Sequence, residues 1–235
     1  MSGHLNPGGQ QFRDDDGAAD PQVAAALAAY QAGQGSEHAA LTALAVARLL
    51  VPVVAVLADG PTAKGDRAAE GDKNSEMVLP TLIGQDGRPA VLAFTGLDTL
   101  VRWRRNARPV PAEADRVWRA AVADGCAVVI DVAGPVPLAV EGTRLAALAA
   151  GQPVPSAHED ADVRADVEAA IAAEPVIAGF SLAPSRQVDL AVQLHLAAGD
   201  WRPAVNHVAQ SIAARLAGRL RRGVEFSVTR DPIGS

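Results

Sequence analysis

The stretches AFTGLDTLVRW (Ala93–Trp103) and GCAVVIDVAGP (Gly125–Pro135) decide the fold of this chain. In the first, a strand runs into the segment TGLD (95–98), whose capping-box spacing is typical of a helix start. In the second, Gly125 ends a helix, and Cys126–Ile130 is a continuous apolar run of strand length. Such a run indicates a central strand that is buried on both faces. We therefore predict two β/α units at the centre of the protein.

Upstream of these units the sequence predicts two helices, followed by strands. Asp20 and Pro21 favour a helix start, and this helix is expected to end at Gly33. Ser36 is expected to cap a second helix, which Pro52 ends. The strands are predicted at Val53–Leu57, Met77–Ile83 and Pro89–Phe94, with a mobile surface loop over Asp59–Glu76 and a hairpin turn at Gln85–Arg88.

Downstream, Pro111 is expected to open a helix ahead of the central strand. Gln152–Asp162 is rich in proline and acid, as linkers often are. Beyond it the pattern predicts α-β-β-α-β, in which Val188–Leu196 alternates as in a strand with one solvated face. The predicted parts are a disordered tail (1–19), an N-terminal domain (20–151), a linker (152–162) and a C-terminal unit (163–235). The expected fold class is α+β, with two small mixed α/β units, each a mixed or antiparallel sheet packed with helices.

The composition excludes several classes of protein. Hydrophobic residues make up 49% of the 235 residues and aromatic residues only 3%, so the core must consist mainly of Ala, Val and Leu. The net charge of −6 argues against a general nucleic-acid or anionic-membrane binder. The longest apolar run, Leu41–Ala58, contains Arg48, so we interpret it as a helix and a strand and not as a membrane span. Because the N-terminus has no basic start followed by an apolar run, we expect a soluble cytoplasmic protein.

The sequence gives no support for a cofactor. Cys126 is the single cysteine, so a disulfide within the chain is excluded and a cysteine-based zinc site is not expected. The five histidines are scattered, and no pair has the i, i+4 spacing of a helical metal site. The standard glycine-rich phosphate motifs are absent from the sequence as well. We therefore expect neither a metal nor a cofactor.

Cys126 and Asp131 are the weak candidates for catalysis. Cys126 heads an apolar strand next to Asp124, and both surroundings should raise the pKa of its thiol, which favours a structural role. Asp131 follows the same strand, where α/β proteins often place functional groups, although an Asx turn would also account for it. Asp131 and Thr95 together are the best candidates for a small polar pocket at the strand ends.

Arginine and tryptophan are interleaved in the region after Thr95, and such mixtures favour both protein interfaces and RNA stacking. The alternative is a solvated face with Trp118 in the core. The predicted interaction surface consists of Arg102, Trp103, Arg105, Arg108, Arg116 and Arg119. We expect a protein partner of unknown identity and no membrane contact, and the acidic total charge disfavours nucleic acid.

A second group of arginines lies near the C-terminus. Arg215, Arg219, Arg221 and Arg222 are predicted to end the long C-terminal helix. Cations at that position complement the helix dipole, which is a sufficient structural explanation for them.

Several of these segments together resemble a known family. The segments VLAFTGLDTLVRWR (91–104), DGCAVVIDVAGP (124–135) and LAALAAG (145–151), with PVP (109–111) between them, resemble the N-terminal domain of SseB-type proteins, named for enhanced serine sensitivity. QVDLAVQLHLA (187–197) and RRGVEFSV (221–228) are similar to the C-terminal region that accompanies this domain. The resemblance covers roughly residues 38–230 and consists of hydrophobic and turn patterns, so it assigns no catalytic or ligand residue.

The sequence therefore leads to two functional expectations. The first is a non-enzymatic interaction or regulatory module of the SseB type. The alternative is a small-molecule-binding or enzymatic domain linked to amino-acid (serine) or sulfur metabolism, which would use Cys126 or Asp131. RNA contact through the arginine and tryptophan residues is a third and weaker interpretation.

Overall fold

The protein is described by a computed structural model that covers residues 12, 15–57, 75–78, 80–84, 87–197 and 200–230. The predicted loop Asp59–Glu76, apart from its last two residues, lies outside the described residues, as do Gln85 and Asp86 of the predicted hairpin turn. The contacts divide the chain into two compact units. Unit 1 comprises residues 1–20 and 48–140, and unit 2 comprises residues 21–47 and 141–235.

The described part of the chain contains both helices and strands. In order they are α1 (Pro21–Gln31), α2 (Glu37–Ala45), β1 (Arg48–Leu57), β2 (Ser75–Val78), β3 (Thr81–Ile83), β4 (Pro89–Ala93), α3 (Leu97–Trp103), β5 (Arg108–Glu113), α4 (Ala114–Ala123), β6 (Ala127–Ile130), β7 (Leu138–Val140), α5 (Gly142–Ala149), α6 (Ala161–Ile171), β8 (Ile177–Ala183), β9 (Leu190–Leu196), α7 (Arg202–Leu216) and β10 (Val224–Arg230).

Unit 1 contains two sheets. One is antiparallel, with the strand order β2-β1-β5. The other is mixed, with the order β3-β4-β6-β7, in which β4 and β6 run parallel. A bridge between Leu50 and Phe94 joins them, and Leu92, Phe94 and Leu100 are fully buried around it. The two predicted β/α units thus form the centre of unit 1, with β4 leading into α3 and α4 leading into β6.

The two prolines expected to bound helices lie inside strands. Pro52 pairs with Pro109 between β1 and β5, and Pro111 pairs with Leu50 in the same ladder. The helix expected to reach Pro52 ends at Ala45. A proline cannot donate a ladder hydrogen bond, but β5 loses little by this because one of its sides has no partner among the described strands. Pro52 lies on β1 outside the residues that pair with β2, which are Val54–Leu57. The prediction of helices bounded by Pro52 and Pro111 was therefore wrong.

The predicted disordered tail, residues 1–19, needs correction at its C-terminal end. The guanidinium of Arg48 forms an ion pair with Asp15, with 2.7 Å between Nε and Oδ2, and it also donates to the Ala18 carbonyl. The Leu97 amide donates to the carbonyl of Gly17 at 2.7 Å. Residues 15–19 are therefore held against unit 1 by these contacts. The acidic run contributes the carboxylate of Asp15, which pairs with the half-buried Arg48.

Unit 2 contains a sheet of order β10-β9-β8, packed against α6 and α7. β9 runs antiparallel to β8 and parallel to β10. The predicted alternation of β9 is confirmed, since Leu190, Val192, Leu194 and Leu196 are buried whereas Gln193 is exposed. Val208, Ile212 and Leu216 of α7 and Val163 and Val167 of α6 complete this core. The order α6-β8-β9-α7-β10 is the α-β-β-α-β arrangement expected for the C-terminal unit.

The division into units differs from the predicted boundaries at 20–151, 152–162 and 163–235. Helices α1 and α2 belong to unit 2, where the hydroxyl of fully buried Tyr30 donates to the Gly218 carbonyl at 2.7 Å. The segment expected to be a linker lies inside unit 2, with Val154 and Asp160 buried. The acid in this segment serves helix capping, since Asp160 accepts from the Asp162 amide at the start of α6.

The α+β fold class is confirmed, with mixed and antiparallel sheets packed with helices in both units. Within the described ranges, no helix is both long and apolar enough to cross a membrane.

Candidate functional site

The arginines nearest Trp103 lie along one turn of unit 1. Arg102 occupies the last turn of α3, Arg105 lies in the turn that follows, and Arg108 begins β5. The turn is closed by the Ala107 amide, which donates to the carbonyl of Arg104 at 3.2 Å. Four guanidinium groups therefore follow one another within seven residues around a single tryptophan.

Trp103 connects this turn to the core. Its ring packs against Phe94, with 5.6 Å between the ring centroids and 35° between the ring planes, and the Arg104 guanidinium lies 5.6 Å from the centre of the Trp103 ring. The indole is half-buried, so it combines a fixed position with an accessible surface. Tryptophan and arginine with these properties are common at the energetic centres of protein interfaces.

Arg102, Arg105 and Arg108 share one property that decides their interpretation. All three are exposed, and none of them has an ion pair or hydrogen bond from its side chain within the described part of the chain. Their charges are therefore available to a partner. We call Arg102, Trp103, Arg105 and Arg108 the α3 cationic surface.

Arg116 and Arg119 differ from this group. Arg116 pairs with Glu113 at 3.2 Å, and Arg119 pairs with Asp115 one helical turn away. These local pairs on α4 neutralise both guanidinium groups, and exposed pairs of this kind are typical of a solvated helix face. Trp118 of the same helix is fully buried in the core. Their local ion pairs therefore distinguish these two arginines from the arginines of the α3 cationic surface.

Thr95 and Asp131 meet, as the strand order predicts. They follow the parallel strands β4 and β6, whose carboxyl ends lie at the same edge of the sheet. Asp131 Oδ1 accepts from the Thr95 amide at 2.9 Å and from the Thr99 hydroxyl at 2.5 Å, and Oδ2 accepts from the Thr95 hydroxyl at 2.6 Å. Asp131 is 3% exposed, so a buried carboxylate with donors on both oxygens ties β6 to the start of α3.

This arrangement replaces two local motifs that the sequence suggested. The residue before α3 is Gly96, without a side-chain cap, so the Thr95–Asp98 capping box does not form. Asp131 adopts a φ of 48°, and its backbone carbonyl, not its side chain, closes the turn to Gly134. The Asx turn is therefore absent, because the carboxylate is already held by Thr95 and Thr99.

Cys126 lies at the other end of β6 from this cluster. It precedes β6, whereas Asp131 follows it, so the two catalytic candidates lie at opposite ends of one strand. Burial raises the pKa of the Cys126 thiol, and the Asp124 carboxylate raises it further. The thiolate is thus disfavoured at Cys126, as the sequence predicts.

Sequence reasoning missed a buried ionic network in unit 2. Glu37 at the start of α2 accepts from Arg144 of α5 and, at 3.1 Å, from Arg219 beyond the end of α7. Arg219 also donates to Asp160 at 2.5 Å, and the Thr143 hydroxyl donates to the same carboxylate at 2.5 Å. The network joins α2, α5, α6 and the residues after α7.

The pKa values of Glu37, Asp160 and Arg219 in this network are shifted in different ways. Burial raises the pKa of Glu37, although Arg144 and Arg219 oppose the effect. Burial alone would raise the pKa of Asp160 as well, but hydrogen bonds from Thr143 and Arg219 outweigh it and lower that pKa below its ordinary value. Burial would lower the pKa of Arg219, but Glu37 and Asp160 outweigh it and raise that pKa.

The C-terminal arginines also differ from their predicted role. α7 ends at Leu216, so of the four only Arg215 lies in its last turn. Arg219 belongs to the buried network, the Arg221 guanidinium lies 5.0 Å from the centre of the Tyr30 ring, and Arg222 pairs with Asp189. These three contacts bind distant parts of unit 2, and the helix dipole is not needed to explain them.

Comparison with protein families places these features in a known context. A model of the SseB protein N-terminal domain matches residues 23–147, which is more than half of the chain. The chain belongs to the SseB family. The SseB match begins in α1 and ends in α5, and it includes Thr95, Asp131 and the α3 cationic surface. No curated protein and no solved structure matches the chain. The earlier resemblance to SseB-type proteins is thus confirmed for the N-terminal domain.

Proposed function

We propose that this SseB protein is a cytoplasmic, non-enzymatic interaction module that binds a protein partner through the α3 cationic surface. The observation that carries the proposal is the set of exposed guanidinium groups on Arg102, Arg105 and Arg108, none of which is paired with a described residue. Their position around the anchored indole of Trp103 gives the surface both charge and a rigid apolar contact.

The chemistry of this surface defines its partner. Three exposed guanidinium groups along one turn favour a segment rich in aspartate or glutamate, because arginine binds carboxylates in a bidentate geometry. Val101 of the same short helix is 40% exposed, and it adds apolar area to α3. An acidic peptide that also carries an apolar side chain would match both parts. The acidic total charge of the chain disfavours nucleic acid as the partner.

The enzymatic alternative would need a reactive group at Cys126 or Asp131. Both oxygens of Asp131 are occupied by Thr95 and Thr99, and the residue is almost fully buried. The raised pKa of Cys126 disfavours the nucleophilic thiolate. These two observations favour a structural role for both residues, and with it the interaction module.

Site-directed photocrosslinking tests the proposal directly. A photoreactive amino acid would replace Asn106, an exposed residue of the same turn, in one variant and Arg186 in another, since Arg186 is an exposed arginine of unit 2 outside the proposed surface. We expect position 106 to crosslink in cells to a defined protein whose attached peptide is acidic, and position 186 not to crosslink to it. Equal crosslinking of the same protein from both positions, or none from position 106, would contradict the proposed surface.

A further inference from the structure

Unit 2 contains a cavity of about 170 Å³ that none of the preceding functions uses. Its wall is formed by the start of α2, the turn 155–158, the connection between β8 and β9, and residues 219–222 beyond α7. All of these segments belong to unit 2. The cavity is smaller than the roughly 300–1,000 Å³ of pockets for drug-sized ligands, so its size favours a small molecule.

Asp189 lies in the wall of this cavity. Its Oδ2 accepts from the backbone amide of Arg222 at 2.8 Å, whereas its Oδ1 has no hydrogen-bond partner among the described residues, although the side chain is only 2% exposed. Burial raises the pKa of this carboxyl group, and Arg222 opposes the effect. A buried carboxylate oxygen without a donor costs free energy, which a ligand with an N–H donor would recover.

Arg222 provides the complementary donor. Its Nη2 donates to the carbonyl of Arg186 at 2.6 Å, and its Nη1 lies 3.9 Å from Asp189 Oδ1, beyond hydrogen-bonding distance. The second lining arginine, Arg219, is already held by Glu37 and Asp160. The wall of the cavity therefore holds a carboxylate and a guanidinium group that form only a long ion pair with each other, and His38 and His158 also lie in the wall.

We infer that this cavity binds a small zwitterion of the α-amino acid class, with its ammonium group on Asp189 and its carboxylate group on Arg222. An amino acid carries a donor and an acceptor on neighbouring atoms, which matches the adjacent Asp189 and Arg222 groups. A simple anion would meet the Asp189 carboxylate, and a simple amine would meet the Arg222 guanidinium, so each alone is disfavoured by like charge. The small volume restricts the side chain to a short one.

Calorimetric titration of the full chain tests this inference with a panel of the common L-amino acids, with methylamine and with acetate. We expect a small amino acid to bind at least about tenfold more tightly than methylamine or acetate, because only the zwitterion satisfies both groups. Failure of every amino acid to bind at concentrations up to about 10 mM would overturn the inference. Acetate or methylamine binding as tightly as the best amino acid would overturn it as well.

Asp189→Asn tests the ammonium contact, and Asp166→Asn is the matched control because Asp166 pairs with Arg215 at the surface, 3.5 Å away. We expect Asp189→Asn to weaken amino-acid binding at least about tenfold and Asp166→Asn to leave it unchanged. Unchanged binding by a folded Asp189→Asn protein would overturn the assignment. If circular dichroism shows that this variant does not fold, Arg222→Gln replaces it. That variant must lose the preference for amino acids over methylamine, and retention of the preference would overturn the assignment.

Discussion

Asp131 accepts hydrogen bonds from both the amide and the hydroxyl of Thr95, at 2.9 Å and 2.6 Å. Thr95 follows β4 and Asp131 follows the parallel strand β6, so this pair closes the end of the sheet where α3 begins. Thr99 of α3 adds a third donor to the same carboxylate. A buried charge is tolerated here because each oxygen has a donor, and the pair thereby fixes the helix that carries Arg102 and Trp103.

Removal of the carboxylate should destabilise unit 1. We expect Asp131→Ala to lower the free energy of unfolding by about 2–4 kcal/mol, because three buried donors lose their shared acceptor and alanine is strained at positive φ. Asp131→Asn should recover part of this loss, since asparagine keeps an acceptor and tolerates the left-handed conformation. Chemical denaturation followed by circular dichroism measures both values.

Asp98→Ala is the control for this pair, because the capping-box prediction and the structure disagree about Asp98. The side chain is exposed and caps no amide of α3, so its removal should cost about 0.3–1 kcal/mol through the helix dipole alone. If Asp98→Ala lowered the free energy of unfolding as much as Asp131→Ala, α3 would be stabilised by its N-terminal cap and not by the Thr95–Asp131 pair.

Arg219→Ala should be among the most damaging single substitutions in unit 2. It leaves Asp160, whose side chain is fully buried, without its guanidinium partner, and breaking a buried ion pair in this way costs about 3–5 kcal/mol. Arg215→Ala is the matched control, because Arg215 makes an exposed pair with Asp166 that is worth about 0–1 kcal/mol. Thermal and denaturant unfolding compare the two variants, and equal losses would contradict the buried network.

The network should also make stability depend on pH. The folded-state pKa of Asp160 is lowered, so the unfolded chain binds more protons in acid and the stabilising contribution of Asp160 is lost as pH falls through the folded-state value. We expect the stability difference between the wild type and Asp160→Asn to be complete above about pH 4, the ordinary carboxyl range, and to shrink below it. Denaturation at a series of pH values measures this difference, and a constant difference down to strong acid would contradict the assignment.

Cys126 should react slowly with thiol reagents. Because its pKa is raised, the thiolate fraction near pH 7 is smaller than that of an unperturbed cysteine, and the rate should rise with pH and with denaturant. A chromogenic disulfide reagent measures this rate in the native protein, with glutathione as the reference thiol. Rapid stoichiometric labelling of the native protein would instead support the enzymatic alternative.

Some of the fold could be predicted from the sequence because it depends on local pattern. The alternation of β9, the Ser36 cap of α2 and the strand β6 are all visible in residue spacing. The proximity of Thr95 and Asp131 also follows, since parallel strands end at a common edge. The hydrogen bonds between Thr95 and Asp131 could not be predicted from the sequence. A capping box accounts equally well for Thr95, and an Asx turn accounts equally well for Asp131.

The missed features depend on contacts between distant residues. Glu37 pairs with Arg144 and Arg219 across 107 and 182 positions of sequence, and nothing in the spacing of these residues selects one partner from many. The association of α1 and α2 with unit 2 depends on the same long-range contacts and on Tyr30. The paired state of Arg116 and Arg119 was visible in their i, i+3 and i, i+4 carboxylates, and that spacing could have separated them from Arg102 and Arg105.

Charge reversal on the α3 cationic surface tests the central claim most directly. The measurement is a quantitative pull-down with the full chain, comparing the wild type, the double variant R102E/R105E and the control double variant R186E/R230E, which changes the charge equally at exposed arginines of unit 2. We predict that R102E/R105E remains folded and loses the acidic partner by about tenfold or more, with binding that weakens as salt increases, while the control retains it. Equal retention of that partner by R102E/R105E and the control would contradict the account.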